Sequence, residues 1–65
     1  MIVLINNHPI ELLAGATLAD AIRIAKAQPP FAAAVNMQFV PHHQYDATVL
    51  KADDAIEIIR PVTGG

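Results

Sequence analysis

The apolar and polar positions of the first twelve residues predict a β-hairpin. Ile2 to Ile5 is a continuous apolar run typical of a buried strand. Asn6 and Asn7 follow it, and these residue types accept the positive φ of a tight hairpin turn. Ile10 and Leu12 then lie on one face with a glutamate between them, which is the alternation of a strand buried on one side.

A helix is predicted to follow this hairpin. Thr17 and Asp20 have the spacing of a capping box, in which two side chains accept hydrogen bonds from free amide groups of the first turn. Four apolar residues then recur on one helix face that is expected to pack on the sheet: Leu18, Ala21, Ile22 and Ala25. Because the pair Pro29-Pro30 cannot continue a helix, the helix is expected to end near Ala27.

Two short strands are predicted next. Residues 32–35 are apolar on both faces and are interpreted as a strand, although alanine prefers helices. Residues 36–38 are predicted to form a turn, after which Phe39 and Val40 form a short strand that Pro41 stops. Residues 42–46 are expected to be irregular or to form a single turn.

The last part of the chain predicts a central strand. Val49 and Leu50 are expected to fill the core from a loop, and a polar turn over 51–54 precedes the strand of residues 55–60. The order β-β-α-β-β-β predicts an α+β fold, a mixed sheet of four to five strands packed on one main helix. This is the β-grasp architecture, in which the first and last strands lie side by side in the sheet centre.

The composition is that of one small folded domain without covalent staples. Hydrophobic residues make up 54% of the 65 residues and charged residues 15%, which a disordered segment would not show. We therefore expect a single domain over residues 1–65, with a flexible tail over 61–65. The chain has no cysteine, which excludes disulfides, thiol nucleophiles and thiolate metal ligands.

The charge pattern argues against nucleic-acid and membrane partners. The net charge is −2, and the four basic residues are scattered, whereas nucleic-acid binding needs clustered positive charge. The longest uncharged run, from Ala27 to Tyr45, contains three prolines and several polar residues, so no transmembrane helix is expected. No basic segment precedes the first apolar run, so no signal peptide is predicted and a cytoplasmic location is expected.

The side chains predict no catalytic site and no bound cofactor. The sequence has no glycine-rich phosphate loop. Asp53 and Asp54 are expected to be solvated in their turn. His42 and His43 are adjacent and lack further ligands, so a polar loop is favoured over a metal site and no metal is expected.

The carboxyl terminus is the most distinctive candidate for chemistry. The sequence finishes on Gly64-Gly65, and the alternative to a functional tail is an inert, frayed one. Residues 61–65 could extend about 17 Å, which is enough to enter a cleft on a partner protein. Glycines suit such a channel because they lack Cβ atoms. The Gly65 carboxylate is a poor electrophile, so another enzyme must activate it.

The sequence resembles the ThiS family of sulfur carrier proteins of thiamine (thiazole) biosynthesis, which are ubiquitin-like. The resemblance covers essentially the whole chain and rests on four segments: Ala34-Val35-Asn36, Phe39-Val40-Pro41, residues 53–58 and Gly64-Gly65. Two positions depart from the family pattern, which often has a basic residue where this chain has His42 and a third glycine where it has Thr63.

The resemblance implies that this chain is a carrier and not an enzyme. An adenylating, ubiquitin-activating-like enzyme would use ATP and Mg²⁺ to adenylate the carboxylate of Gly65, while Gly64 and Thr63 give access to its cleft. A persulfide from a sulfurtransferase or cysteine desulfurase system would then leave a thiocarboxylate, which donates sulfur to thiazole synthase.

Docking and pathway each have alternatives. Ile59 and Val62 are the candidate docking residues on the outward side of the last strand, and the alternative is that Ile59 belongs to the core. A carrier for molybdopterin or another sulfur-requiring pathway, a ubiquitin-like protein modifier, and a plain interaction domain are the other candidate functions.

Overall fold

A computed structural model describes residues 1–61, and Val62 to Gly65 lie outside the described residues. The elements follow the predicted order β-β-α-β-β-β, with a 3-10 helix before the last strand. Their bounds are β1 Ile2–Ile5, β2 His8–Glu11, α1 Leu18–Ile24, β3 Ala32–Val35, β4 Gln38–Val40, the 3-10 helix His42–Ala47, and β5 Ala55–Ile59.

The strands form one mixed five-stranded sheet in the order β2-β1-β5-β3-β4. β1 and β5 are parallel and adjacent in the sheet centre, with Leu4 opposite Ala55 and Ile5 opposite Ile56. β2 pairs with β1, β4 with β3, and β3 with β5, all antiparallel. The predicted β-grasp fold, with its first and last strands side by side, is confirmed.

The helix α1 begins at the predicted capping box. The Thr17 hydroxyl accepts a hydrogen bond from the Asp20 amide, and the Asp20 carboxylate accepts one from the Thr17 amide at 2.9 Å. The helix ends at Ile24, earlier than the predicted end near Ala27, and Lys26 has a left-handed φ of 58°. None of the helices in residues 1–61 is long and apolar enough to cross a membrane.

The core lies between one face of the sheet and α1. Leu18, Ile56 and Val3 are its largest fully buried side chains. Leu50 is also buried, as predicted, and its amide donates to the Ala16 carbonyl at 2.9 Å. The prediction for Val49 was wrong, because its side chain is 61% exposed. Neighbouring residues of an extended segment point to opposite sides, so only one of the two can enter the core.

Candidate functional site

The residues predicted to carry the chemistry lie four to six positions after the end of β5 in the sequence. Gly65, Gly64 and Thr63 lie outside the described residues, as does Val62 of the predicted docking pair. The structure therefore describes the base of this segment, which is β5 and the two residues after it. Arg60 and Pro61 are both exposed there.

Ile59, the other predicted docking residue, lies on the surface at the end of β5. Its side chain is 55% exposed, so the alternative that it belongs to the core is wrong. Ile59 pairs with Ala32 of β3, while its neighbour Ile58 is buried. The alternation along β5 therefore turns Ile59 away from α1.

The sheet surface that faces away from α1 is called the outer face. It is defined by the exposed residues of three strands, β1, β4 and β5, whose neighbours enter the core: Ile2 and Leu4 of β1, Glu57 and Ile59 of β5, and Phe39 of β4. Four of these five are apolar, and Phe39 is the most exposed of them at 68%. Of these apolar residues, Ile59 lies on β5, the strand that leads into the terminus.

The position of Phe39 on the outer face was not predicted from the sequence. Val40 lies opposite the buried Ala33, which puts Val40 in the core and turns Phe39 outward. Phe39 lies opposite Ala34, which in turn lies opposite Glu57. Phe39 and Val40 are adjacent and both apolar, so this short strand shows no alternation of apolar and polar residues. The sequence therefore held no signal for which of the two faces the core.

The end of β5 is hydrogen-bonded by the turn that joins β1 to β2. Asn6 and Asn7 have φ values of 50° and 69°, which confirms the predicted positive-φ turn. The side-chain Oδ1 of Asn6 accepts a hydrogen bond from the Ile58 amide at 2.8 Å, and its Nδ2 donates to the Ile58 carbonyl at 3.3 Å. Asn6 thus fixes the strand shortly before it leaves the sheet.

The start of β5 is fixed by Asp54. Its carboxylate accepts hydrogen bonds from the Lys51 amide at 2.7 Å and from Asn36 Nδ2 at 2.9 Å. Burial raises the pKa of Asp54, but these two hydrogen bonds and the charge of Lys51 outweigh it, so the pKa lies below its ordinary value of 3.8. The expectation of a solvated turn was therefore wrong for Asp54, although Asp53 is exposed.

The predicted polar loop around the histidines is a 3-10 helix packed beside aromatic rings. The His42 ring contacts the Tyr45 ring edge to face, with 5.2 Å between the ring centroids, and the Tyr45 ring stacks on that of Phe31, with 6.0 Å between the centroids. Across residues 1–61, no group of three or more His, Cys, Asp or Glu side chains is placed to hold a metal ion. The described part of the chain thus offers an apolar surface and a firmly held central strand.

Comparison with known proteins places this architecture in a family. The model of the ThiS family matches residues 3–65. The crystal structure of the thiamine biosynthesis protein ThiS from Geobacter metallireducens is similar with a TM-score of 0.82 and 20% identity, over 100% of both chains. The solution structure of a thiamine biosynthesis protein from the same organism gives 0.80 and 20%, over 100% of this chain and 88% of that one.

No curated protein sequence matches the chain closely enough to add to this comparison. At 20% identity, the two structures support the fold alone. The family match covers nearly the whole chain and runs through its last two glycines. The chain belongs to the ThiS family.

Proposed function

We propose that this chain is a sulfur carrier of thiamine biosynthesis and that its sulfur is carried on the carboxyl group of Gly65. The observation that supports this most is the family match through residue 65, which includes the Gly64-Gly65 ending. The absence of cysteine is consistent with it, because a carrier that holds sulfur on its terminal carbonyl needs no thiol of its own.

The first step of the proposed reaction activates the carboxylate. A carboxylate oxygen of Gly65 attacks the α-phosphorus of ATP in an adenylating enzyme of the ubiquitin-activating kind, and pyrophosphate leaves. ATP and Mg²⁺ are bound by that enzyme. The product is a mixed anhydride with AMP, which turns a poor electrophile into a good one.

The second step introduces sulfur. The terminal sulfur of a persulfide, supplied by a sulfurtransferase or cysteine desulfurase system, attacks the Gly65 carbonyl carbon, and AMP leaves. A second thiol of the sulfur-supplying protein then attacks the sulfur of that protein's persulfide-bearing cysteine in the resulting acyl disulfide. The S–S bond to the acyl-bound sulfur breaks, a protein disulfide forms, and the Gly65 thiocarboxylate leaves. We place these reactions in the cytoplasm, where thiols are kept reduced. Thiazole synthase is the proposed acceptor of the sulfur.

We propose that the outer face docks these partner enzymes. Ile59 lies two residues before Pro61, so a partner bound over Ile59 is close to the point where the terminal segment begins. Exposed apolar side chains such as Ile59 and Phe39 are the residue types that stabilise interfaces when a partner covers them. Val62 belongs to the same proposed contact and lies outside the described residues.

The intact mass of the chain purified from cells tests the proposed function. A carrier gains the mass difference between one sulfur and one oxygen atom, and the variant that lacks Gly65 does not gain it. A series of conjugates joined through Gly65 would instead indicate a protein modifier. An unmodified mass in cells that are making thiamine would contradict both functions and favour an inert interaction domain.

A further inference from the structure

The backbone ladder between β1 and β5 stops before β5 does. The amides of Leu4 and Asn6 donate to the carbonyls of Asp54 and Ile56, at 2.9 Å and 2.8 Å. These acceptors alternate along β5, so the next carbonyl in the series is that of Ile58. The turn at Asn6 carries the β1 backbone away from β5 before it can reach this position.

The side chain of Asn6 continues the ladder by one step. Its Nδ2 donates to the Ile58 carbonyl at 3.3 Å, and its Oδ1 accepts from the Ile58 amide at 2.8 Å. A side-chain amide carries the same donor and acceptor as a peptide group, which is why it can replace one. Both backbone groups of Ile58 are thereby paired on the β1 side.

Without Asn6, the end of β5 would be held from one side only. On its other side β5 stays paired with β3, where Ile58 lies opposite Ala33 and Ile59 opposite Ala32. A strand end held by one neighbour opens locally more often than one held by two. The hydrogen bonds of Asn6 thus supply the second of the two restraints on the end of β5, next to the pairing with β3.

Building on the proposed function, we propose that Asn6 is a positioning residue, whose side-chain amide clamps the end of β5 so that the Gly65 carboxylate reaches the adenylating site from a fixed base. Residues 59–65 span at most about 23–25 Å, so the position of their base limits which points the Gly65 carboxylate can reach. In-line attack needs reacting atoms about 3–3.5 Å apart and aligned, and small misplacements lower the rate strongly. Asn6 is not one of the five residues that define the outer face. Asn7 lines the same surface depression as Asn6, Leu4 and Glu57, so it controls for any contact that a partner makes there.

The turn itself supplies a matched pair of variants. Asn6→Gly removes the clamp, and glycine accepts the φ of 50° without strain. Asn7→Gly makes the same change at a φ of 69°, and within residues 1–61 the Asn7 side chain makes no hydrogen bond to lose. Both variants therefore replace an asparagine of the turn with glycine, but only Asn6→Gly loses the hydrogen bonds to Ile58.

The functional test is pyrophosphate exchange catalysed by an adenylating enzyme of the proposed kind, well below the melting temperatures of both variants. We expect Asn6→Gly to lower kcat about three- to tenfold with KM unchanged, which is the signature of misplacement and not of lost docking. Asn7→Gly is expected to change neither. An unchanged kcat in Asn6→Gly, or an equal fall in both variants, would overturn the proposal.

Amide exchange and backbone ¹⁵N relaxation test the clamp without any partner enzyme. Asn6→Gly should speed exchange of the Ile58 amide about tenfold and increase the motion of Ile59 and Arg60, while Asn7→Gly should leave both as in the wild type. Equal exchange of Ile58 in all three proteins would also overturn the proposal. If the wild-type chain supports no pyrophosphate exchange, the proposed function fails. The amide-exchange and relaxation data then decide by themselves whether Asn6 holds the end of β5.

Discussion

Replacing Asp54 with asparagine should destabilise the domain far more than the same change at Asp53. The Asp54 carboxylate faces two donors, the Lys51 amide at 2.7 Å and Asn36 Nδ2 at 2.9 Å. An asparagine has one oxygen, so its NH₂ group must face one of these donors. At Asp53 the side chain is exposed, and asparagine accepts the φ of 70° there.

The geometry sets the size of the effect. One lost hydrogen bond to a charged acceptor costs about 1.5–3 kcal/mol. A chain of this size has a total stability of roughly 3–10 kcal/mol, so the loss is a large share of it. For a domain this small, about 2 kcal/mol lowers Tm by roughly 8–16 °C. Asp53→Asn is expected to stay within about 0.5 kcal/mol of the wild type.

The pH dependence of this difference follows from the pKa of Asp54. Burial raises the pKa, but the hydrogen bonds from Lys51 and Asn36 lower it more, so the folded value lies below 3.8. The carboxylate therefore stabilises the fold above this pH, and its contribution is lost as the pH falls through the folded value. The Tm difference between wild type and Asp54→Asn should narrow in this range.

Thermal unfolding followed by circular dichroism, from neutral pH down to about pH 3, measures the Tm difference and its narrowing at low pH. This range extends below the ordinary pKa of an aspartate in an unfolded chain. Some acid sensitivity should remain in Asp54→Asn, because the pKa of Asp20 is also lowered, mainly by its hydrogen bond from the Thr17 amide. Equal Tm values for Asp53→Asn and Asp54→Asn at neutral pH would refute the reasoning, as would a difference that does not change with pH.

Two further substitutions test the docking surface and the helix start. Ile59→Asp should lower kcat/KM for adenylation about tenfold or more, as at an interface hot spot. The control Leu13→Asp should not lower it, because Leu13 is 86% exposed and lies outside the outer face. Equal kcat/KM values for the two variants would contradict docking through Ile59. Thr17→Ala should lower the free energy of unfolding by about 1 kcal/mol in urea titration, because the Asp20 amide loses its 3.3 Å acceptor, and Thr17→Ser should restore it. A fully stable Thr17→Ala variant would show that the capping box contributes little.

Local sequence patterns were sufficient where the interaction is local. Thr17 and Asp20 are three residues apart, and their spacing alone predicted the capping box that the structure contains. The residue types of Asn6 and Asn7 predicted their positive φ for the same reason. Strand order also followed, because the element order restricts a small domain to few topologies.

Contacts between distant residues could not be predicted in this way. The Asn6 amide binds Ile58 across 52 residues, and Asp54 binds Asn36 across 18. Both contacts depend on how the sheet brings strands together, and one sequence does not record that. The exposure of Ile59 was equally open, since a run of isoleucines has no polar partner to mark its outward side.

The place of the sulfur atom tests the central claim most directly. Proteolysis after Lys51 releases the C-terminal peptide of residues 52–65 from chain purified out of thiamine-producing cells, and tandem mass spectrometry can assign the modified residue. We predict sulfur in place of oxygen on the carboxyl group of Gly65. Sulfur on any other residue, or a Gly65 carboxylate that stays unmodified while thiazole is being made, would contradict it.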